Sequence, residues 1–396
     1  MLNLKQLQKP PGAHPIGFRH SCLIDQRRSG RELPVMIWYP AASTEGCEQR
    51  HYQSRQAFQR NFELNDDMLR SLPWPISVLT RRTLGKMTFV DILTNAYTNA
   101  PLLESTDALP VLIFAPGYSG LMTQNTILME ALASHGYVVM SMGVPDETLA
   151  EYPDGHVTPI PADILRVFAQ KDNVQTLKLL NGLRKRKQNS IAQMTELSRV
   201  AYEPTAKDAK PTQVAWTTFV HEHMAIWYQD LVCVLDQLPT FAPFEGKLAA
   251  SKVGVLGMSM GGGLASNIAY RRDGHVAAAL SLDGSYYGMP LAGVIETPHM
   301  IIHTFHTSFL LFQNATHDAY YVTVADAAHL DFTDYTLLEP VYRQLNLTSK
   351  KVNPATMLEI INTYALAFFD KYIRGRSTDA ILKGPPLFPN IEVEYK

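Results

Sequence analysis

Gly257-Met258-Ser259-Met260-Gly261 is a G-x-S-x-G match whose surroundings give it meaning. An apolar run at residues 252–256 precedes it, and a stretch with helical character at 261–270 follows. A serine on a tight strand-to-helix turn presents its hydroxyl above the sheet, and the helix N-terminus beneath favours developing negative charge. Such a hydroxyl attacks an acyl carbon if a base takes its proton and a carboxylate orients that base. The alternative is a glycine-rich turn that carries a serine by chance. The flanking strand and helix favour the nucleophile.

The acid and the base of such a nucleophile come later in the chain, in that order, and the base follows the last strand of the alternating pattern. Val322-Thr323-Val324 leads into Ala325-Asp326-Ala327-Ala328-His329, so His329 is the favoured base. His317 competes, but it precedes that strand. Two aspartates compete for the acid. Asp283 closes the apolar run 276–282, at a strand's carboxyl end, where ligand chemistry collects in open α/β sheets. Asp318 follows the next strand but stands only two residues before the one after it. Asp283 is favoured and Asp318 kept as the alternative. Asp326 and Asp331, on either side of His329, read as solvated or structural. An oxyanion needs two backbone N–H donors. Met260, just after the nucleophile, is one. The other comes from Phe114-Ala115-Pro116-Gly117-Tyr118-Ser119-Gly120, where Pro116 has no N–H and Tyr118 is the best placed; its ring is also suited to wall an acyl pocket.

Short apolar runs alternate with helical periodicity along the chain, the pattern of βαβ units and a mostly parallel sheet. Strands are predicted at 31–39, 109–114, 137–142, 252–256, 276–282, 299–305 and 320–324, the last of them alternating in hydrophobicity. Helices are predicted at 123–135, 221–238, 261–270 and from Asn353-Pro354 to Tyr372, with Gly375 just past the end. Two long polar stretches break the rhythm, 43–107 and 149–217, the second with a predicted helix at 162–186. Stretches of that length are usually functional or carry structure of their own. They are read as a cap or pocket wall on a single domain spanning residues 1–396.

Of 396 residues, 46% are hydrophobic, ample for a sizeable core, and the net charge of −2 sets up no field for nucleic acid or an anionic surface. Three cysteines at irregular spacing, Cys22, Cys47 and Cys233, give neither a disulfide framework nor a zinc site. No cofactor or metal is expected. His299, His303 and His306, and His221 with His223, lack metal-ligand spacing and read as structural. Gly261 to Gly263 are not a phosphate loop, Arg184 to Lys187 read as a solvated helix end, and the aromatic segment 216–227 reads as core. No apolar run is long enough to span a membrane, and the first residues carry no signal-peptide pattern. The expected compartment is therefore the cytoplasm, or outside the cell if a leader was trimmed.

Taken together, these residues resemble the platelet-activating-factor acetylhydrolase-like and dienelactone-hydrolase-related branch of the α/β-hydrolases. GMSMGG is similar to that family's elbow, SLDG at Asp283 to its acid, and AAHLDFTDY at His329 to its histidine segment, which ends in an aspartate-aromatic pair. RELPVMIWYP is similar to its first strand and EIINTYALAFFDKYIRG to its final helix. The family commonly has His-Gly where this chain has Pro116-Gly117. APGYSG looks instead like bacterial cutinases and polyester hydrolases, whose tyrosine at the Tyr118 position donates to the oxyanion. The resemblance implies an α/β-hydrolase fold, a mostly parallel central sheet flanked by helices, and hydrolysis of a small-molecule ester through a Ser-His-Asp triad. A thioesterase or acyltransferase would use the same triad, and a non-catalytic binding protein would use the fold alone.

Overall fold

A computed structural model describes residues 4–59, 89–158, 191–202, 211–242, 244–304, 308–338, 342–343 and 347–396. The predicted helix at 162–186, the basic run at Arg184 to Lys187, and His306 lie outside the described residues. Eleven strands are described: β1 Ile16–Asp25, β2 Arg31–Pro40, β3 Gln49–His51, β4 Leu93–Thr98, β5 Val111–Ala115, β6 Val138–Met142, β7 Val253–Met258, β8 Val276–Leu282, β9 His299–His303, β10 Ala319–Val324 and β11 Ile391–Tyr395. The described helices are α1 Thr126–Ser134, α2 Ile191–Tyr202, α3 Pro211–Gln237, α4 Met260–Arg271, α5 Phe309–Gln313, α6 Tyr335–Leu338, α7 Pro354–Tyr372 and α8 Asp379–Leu382. None is long and apolar enough to cross a membrane.

The chain divides into two compact units. The first holds Met1–Leu109, Ser119–Ile160 and Ala328–Asn362. Its strands run in the order β6-β2-β1-β4-β3, antiparallel except for the β1–β4 pair. β2 is buried from Leu33 onward, as its apolar run requires. β1, which carries Arg19 and His20 in mid-strand, is half-buried there and pairs with β2 as a hairpin. It does not show in the periodicity because its hydrophobic pattern is broken. β3 and β4 come from the two ends of the stretch 43–107, so the described ends of that stretch belong to the sheet rather than to a cap.

The second unit holds Pro110–Tyr118, Pro161–Ala327 and Thr363–Lys396. Its ladder β5-β7-β8-β9-β10 is parallel throughout, and β11 closes the edge antiparallel to β10. β10 is thus not the last strand, as the periodicity suggested. The sequence IEVEY of β11 gave no apolar signal because it is an edge strand with most side chains in solvent. β10 is also buried on both faces rather than one. Tyr321 packs against His303, Phe309 and Phe312, while Tyr320 packs against Phe368 and Tyr372 of α7. α3 starts ten residues before the predicted 221, at Pro211, where a missing N–H costs the helix nothing. Trp227 on this helix is fully buried, in keeping with a core role.

In the first unit α1 lies against β4 through a buried carboxylate. Glu130 Oε1 accepts from the Asn95 backbone N–H at 2.7 Å and Oε2 from Asn95 Nδ2 at 2.9 Å. Burial lifts the Glu130 carboxyl from 4.5 to about 7, against the opposing pull of those hydrogen bonds and of Arg50. Between these two values the folded chain holds a proton that the unfolded chain has released, so stability falls as pH rises through this window and levels off above it. The penalty amounts to about 3 kcal/mol. Glu130→Gln removes it. In urea unfolding, the difference in stability between wild type and Glu130→Gln should therefore shift by about that amount between pH 4 and pH 8, in the variant's favour at high pH. A difference that does not change with pH would mean that folding leaves the proton affinity of Glu130 unchanged.

Candidate active site

Ser259 connects β7 to α4 with φ +56° and ψ −113°. A positive φ is uncommon outside glycine, and a non-glycine backbone in such a region costs on the order of 1–3 kcal/mol. The surroundings hold it there. The Ser259 N–H donates to the Leu282 carbonyl at 2.9 Å, and the Ser259 carbonyl accepts from Gly263 at 2.9 Å as the first turn of α4. The side chain makes no capping hydrogen bond to its own helix.

The glycines of the elbow are there for close approach. A Cβ at Gly261 would lie 2.0 Å from the Ala115 carbonyl oxygen and 2.6 Å from that of Pro116. One at Gly257 would lie 2.3 Å from the backbone of Gly261. α4 therefore starts directly against the end of β5. The loop that leaves β5 passes Ser259: a Cβ at Gly117 would stand 3.4 Å from Ser259 Cβ and 3.3 Å from Met258 Sδ. The next residue, Tyr118, turns its ring to α3, edge-on to Phe219 at 5.8 Å and to His223 at 6.2 Å between centroids. Phe219 and His223 lie 3.9 Å apart, one helical turn from each other. This aromatic trio did not show in the sequence, because a four-residue spacing on an apolar helix reads as core. Met260, the other sequence-predicted oxyanion donor, is buried as the first residue of α4.

Asp283 stands one strand away, directly past the end of β8. It is 7% exposed, has φ +48°, and its N–H donates to the Ile302 carbonyl at 2.9 Å. Its Oδ1 accepts the Thr304 N–H at 2.9 Å, and Thr304 Oγ1 donates to the Ala327 carbonyl at 2.8 Å. Thr304 thus ties the acid to the loop that ends two residues before His329. No sequence signal marked it. The structure places Asp318 elsewhere. Its carbonyl accepts from His299, the first residue of β9, whereas Thr304 lies past the last, roughly 16 Å further along the strand. There Asp318 Oδ2 accepts from Tyr372 Oη at 2.5 Å and faces Lys371 Nζ at 3.5 Å, and these partners hold its carboxyl below the usual range. His317, beside it, is exposed at the same end of the sheet.

His329 opens a 3-10 turn, His329–Phe332, in the first unit and is half-buried. Asp331 builds this turn. It is fully buried, accepts from the Ala328 N–H at 2.6 Å and from Thr336 Oγ1 at 2.8 Å, and receives Ser349 N–H on both oxygens. Asp326 is exposed in the turn after β10, at φ +61°. Two of the histidines set aside in the sequence, His299 and His303, have core partners. His299 Nε2 meets Ser266 Oγ at 3.1 Å, and burial lowers its ring to about 4; His303 Nε2 meets Thr323 Oγ1 at 3.1 Å.

Residues 2–152 match the family of platelet-activating factor acetylhydrolase, isoform II. The matched segment includes Gly117 and Tyr118 and ends before the elbow. A search of curated proteins finds no match. Among solved structures, a ferulic acid esterase from Streptomyces cinnamoneus superposes with a TM-score of 0.69 at 20% identity, covering 98% of this chain and 99% of that one. The chain has the α/β-hydrolase fold, and the match over residues 2–152 bears out its resemblance to the platelet-activating-factor acetylhydrolase-like branch.

The close approach at the elbow has a direct test. Gly261→Ala forces a side chain into backbone that cannot move aside and should cost about 3 kcal/mol or more in urea unfolding. Gly274→Ala, with nothing within 4 Å of the added atom, should change stability by less than about 0.5 kcal/mol. Equal effects at the two positions would contradict the packing of α4 on β5.

Proposed function

We propose that the protein is a serine hydrolase of carboxylic esters, with Ser259 as nucleophile, His329 as base and Asp283 as the acid that orients it. The observation that carries this is Ser259 itself: a non-glycine residue held at a strained positive φ on a strand-to-helix turn, with the backbone of Gly117 against its Cβ and Asp283 at the end of the adjoining strand. Strain of this kind persists where function maintains it. The names of the matches agree in chemistry, one being an acetylhydrolase and the other an esterase. Asp283 is preferred to Asp318 because it shares the strand ends with Ser259, whereas Asp318 is engaged by Tyr372 and Lys371 at the other end of β9. His329 is supported by covalent reach. It stands two residues after Ala327, so its Cα lies within about 7 Å of the Ala327 Cα.

In the first step His329 takes the Ser259 proton as Oγ attacks the ester carbonyl carbon. The backbone N–H groups of Met260 and Tyr118 receive the oxyanion, and Asp283 stabilises the imidazolium. The carbon–oxygen bond to the alcohol breaks as His329 returns the proton to that oxygen. Water, deprotonated by His329, attacks the acyl-enzyme, and Ser259 leaves with the proton as the acid is released. Tyr118, Phe219 and His223 wall the acyl side of the pocket. The substrate class is a small-molecule ester of the kind that acetylhydrolase-like esterases and lipases take.

Ser259→Ala should abolish turnover of p-nitrophenyl acetate and butyrate while the fold survives, and a fluorophosphonate should label wild type and not the variant. Asp283→Asn should lower kcat on the order of 10⁴-fold, whereas Asp318→Asn should leave it close to wild type. Substantial esterase activity in Ser259→Ala would overturn the assignment of the nucleophile. The reverse order of the two aspartate variants would overturn that of the acid. A folded wild type that neither hydrolyses these esters nor takes the label would be a binding protein on this fold.

A further inference from the structure

The segment His329–Asp334 is anchored at its far end in a way the reaction scheme does not explain. Asn125 stands at the N-cap of α1, the position where an asparagine side chain ordinarily accepts from its own helix. It makes no such bond. Its Nδ2 donates instead to the Phe332 carbonyl at 2.7 Å. The cap is supplied by a residue 207 positions later: Asp334 Oδ2 accepts the Ile127 N–H at 3.1 Å. The Asp334 N–H donates in turn to the Gln124 carbonyl at 2.9 Å, and Tyr52 Oη donates to Asp334 Oδ2 at 3.1 Å. Asn125 and Asp334 have exchanged roles, each satisfying the other's segment. Both are fully buried.

We propose that this exchanged cap makes Asp334, with Asn125, the positioning pair for His329. The inference rests on His329 being the base. The turn His329–Phe332 has one backbone anchor at each end. Asp331 holds its start through the Ala328 N–H, and Asn125 holds its last carbonyl, that of Phe332. Asp334, two residues on, is itself fixed to the N-terminus of the nine-residue helix α1 through its N–H and its Oδ2. Without the exchange, the half-buried His329 side chain would sit on a four-residue turn tethered at one end only.

Asp334 serves here through an acceptor oxygen, bonded by the Ile127 N–H and Tyr52 Oη. Its carboxyl is buried beside Glu130, and burial raises it well above the usual range against the opposing pull of those bonds. An asparagine carboxamide offers the same acceptor in the same place. Alanine offers none.

The test compares Asp334→Ala, Asp334→Asn, Asn125→Ala and His329→Ala in the full-length protein, reading kcat and KM for p-nitrophenyl butyrate, the rate of fluorophosphonate labelling and the folded fraction by circular dichroism. Misplacement of a catalytic group by about 1 Å costs on the order of 100-fold, so Asp334→Ala should lose kcat to that extent with KM unchanged, and labelling should slow in step. Asp334→Asn should restore most of the wild-type kcat. Asn125→Ala should repeat the kcat loss, and it carries the test if Asp334→Ala does not fold. The proposal is overturned if folded Asp334→Ala or Asn125→Ala keeps wild-type kcat, if kcat falls only as far as the folded fraction does, or if Asp334→Asn is as damaged as Asp334→Ala. Those failures leave His329→Ala inactive. An active His329→Ala instead removes the base assignment and the positioning role with it.

Discussion

The carboxyl ends of β7, β8 and β9 are held in step by a row of hydrogen bonds running across them. Ser259 donates to Leu282, Asp283 donates to Ile302, Thr304 donates to the Asp283 carboxylate, and Thr304 Oγ1 donates to Ala327. Ser259 and Asp283, each just past the end of one strand, are fixed to the next strand, and Thr304, just past β9, bonds back to Asp283 and onward to the turn after β10. Parallel pairing makes this possible, because all three strands finish at the same edge, and so do the loops that follow them. A group placed one residue past such a strand inherits the sheet's rigidity without being part of it. Ser259 and Asp283 both accept a positive φ there, which the row of bonds sustains.

The same edge demands glycine for a different reason. α4 starts so near the end of β5 that the Ala115 carbonyl occupies the space a Gly261 side chain would need. Nearness of this kind brings the β5 loop, at Gly117, against Ser259. Ser259 and the loop that carries Gly117 and Tyr118 come from segments about 140 residues apart, and the close backbone approach at Gly261 and Gly117 brings them together. Strain at Ser259 and closeness at Gly261 are two consequences of one requirement, a helix packed tightly onto its sheet.

What the sequence showed was what neighbours in sequence decide. The elbow was legible because strand, turn, glycines and helix are contiguous, and the buried parallel strands were legible as unbroken apolar runs. β1 was not, because Arg19 and His20 interrupt it, nor was β11, whose edge position leaves it polar. Among site residues, Ser259 and Asp283 announced themselves by standing at strand ends. Thr304 did not, since nothing local separates a threonine that ties two loops from one that lies in a turn. Asp331 read as solvated or structural and is a fully buried structural acid. The periodicity puts Asn125 inside a helix that starts at 123, whereas the structure makes it the N-cap of α1. Its actual partner is Phe332, and the real cap lies 207 residues away, a relation no local pattern encodes.

Why exchange caps at all? A helix can satisfy its first N–H groups from its own N-cap residue at almost no conformational cost, since the two are already adjacent. Taking the acceptor from a distant segment gives that local advantage up and obliges the chain to bury a carboxyl group, whose pKa burial pushes well above the usual range. What the fold gains is specificity of place. A local cap orders only the helix it belongs to, whereas Asp334 and Asn125 order two segments against each other and leave a single register between them. The bonds cannot be made in a shifted arrangement, because each satisfies a buried group that would otherwise lack a partner. The segment fixed by this means is the one that carries His329, a side chain on a short turn beyond the parallel ladder, where no strand pairing holds it.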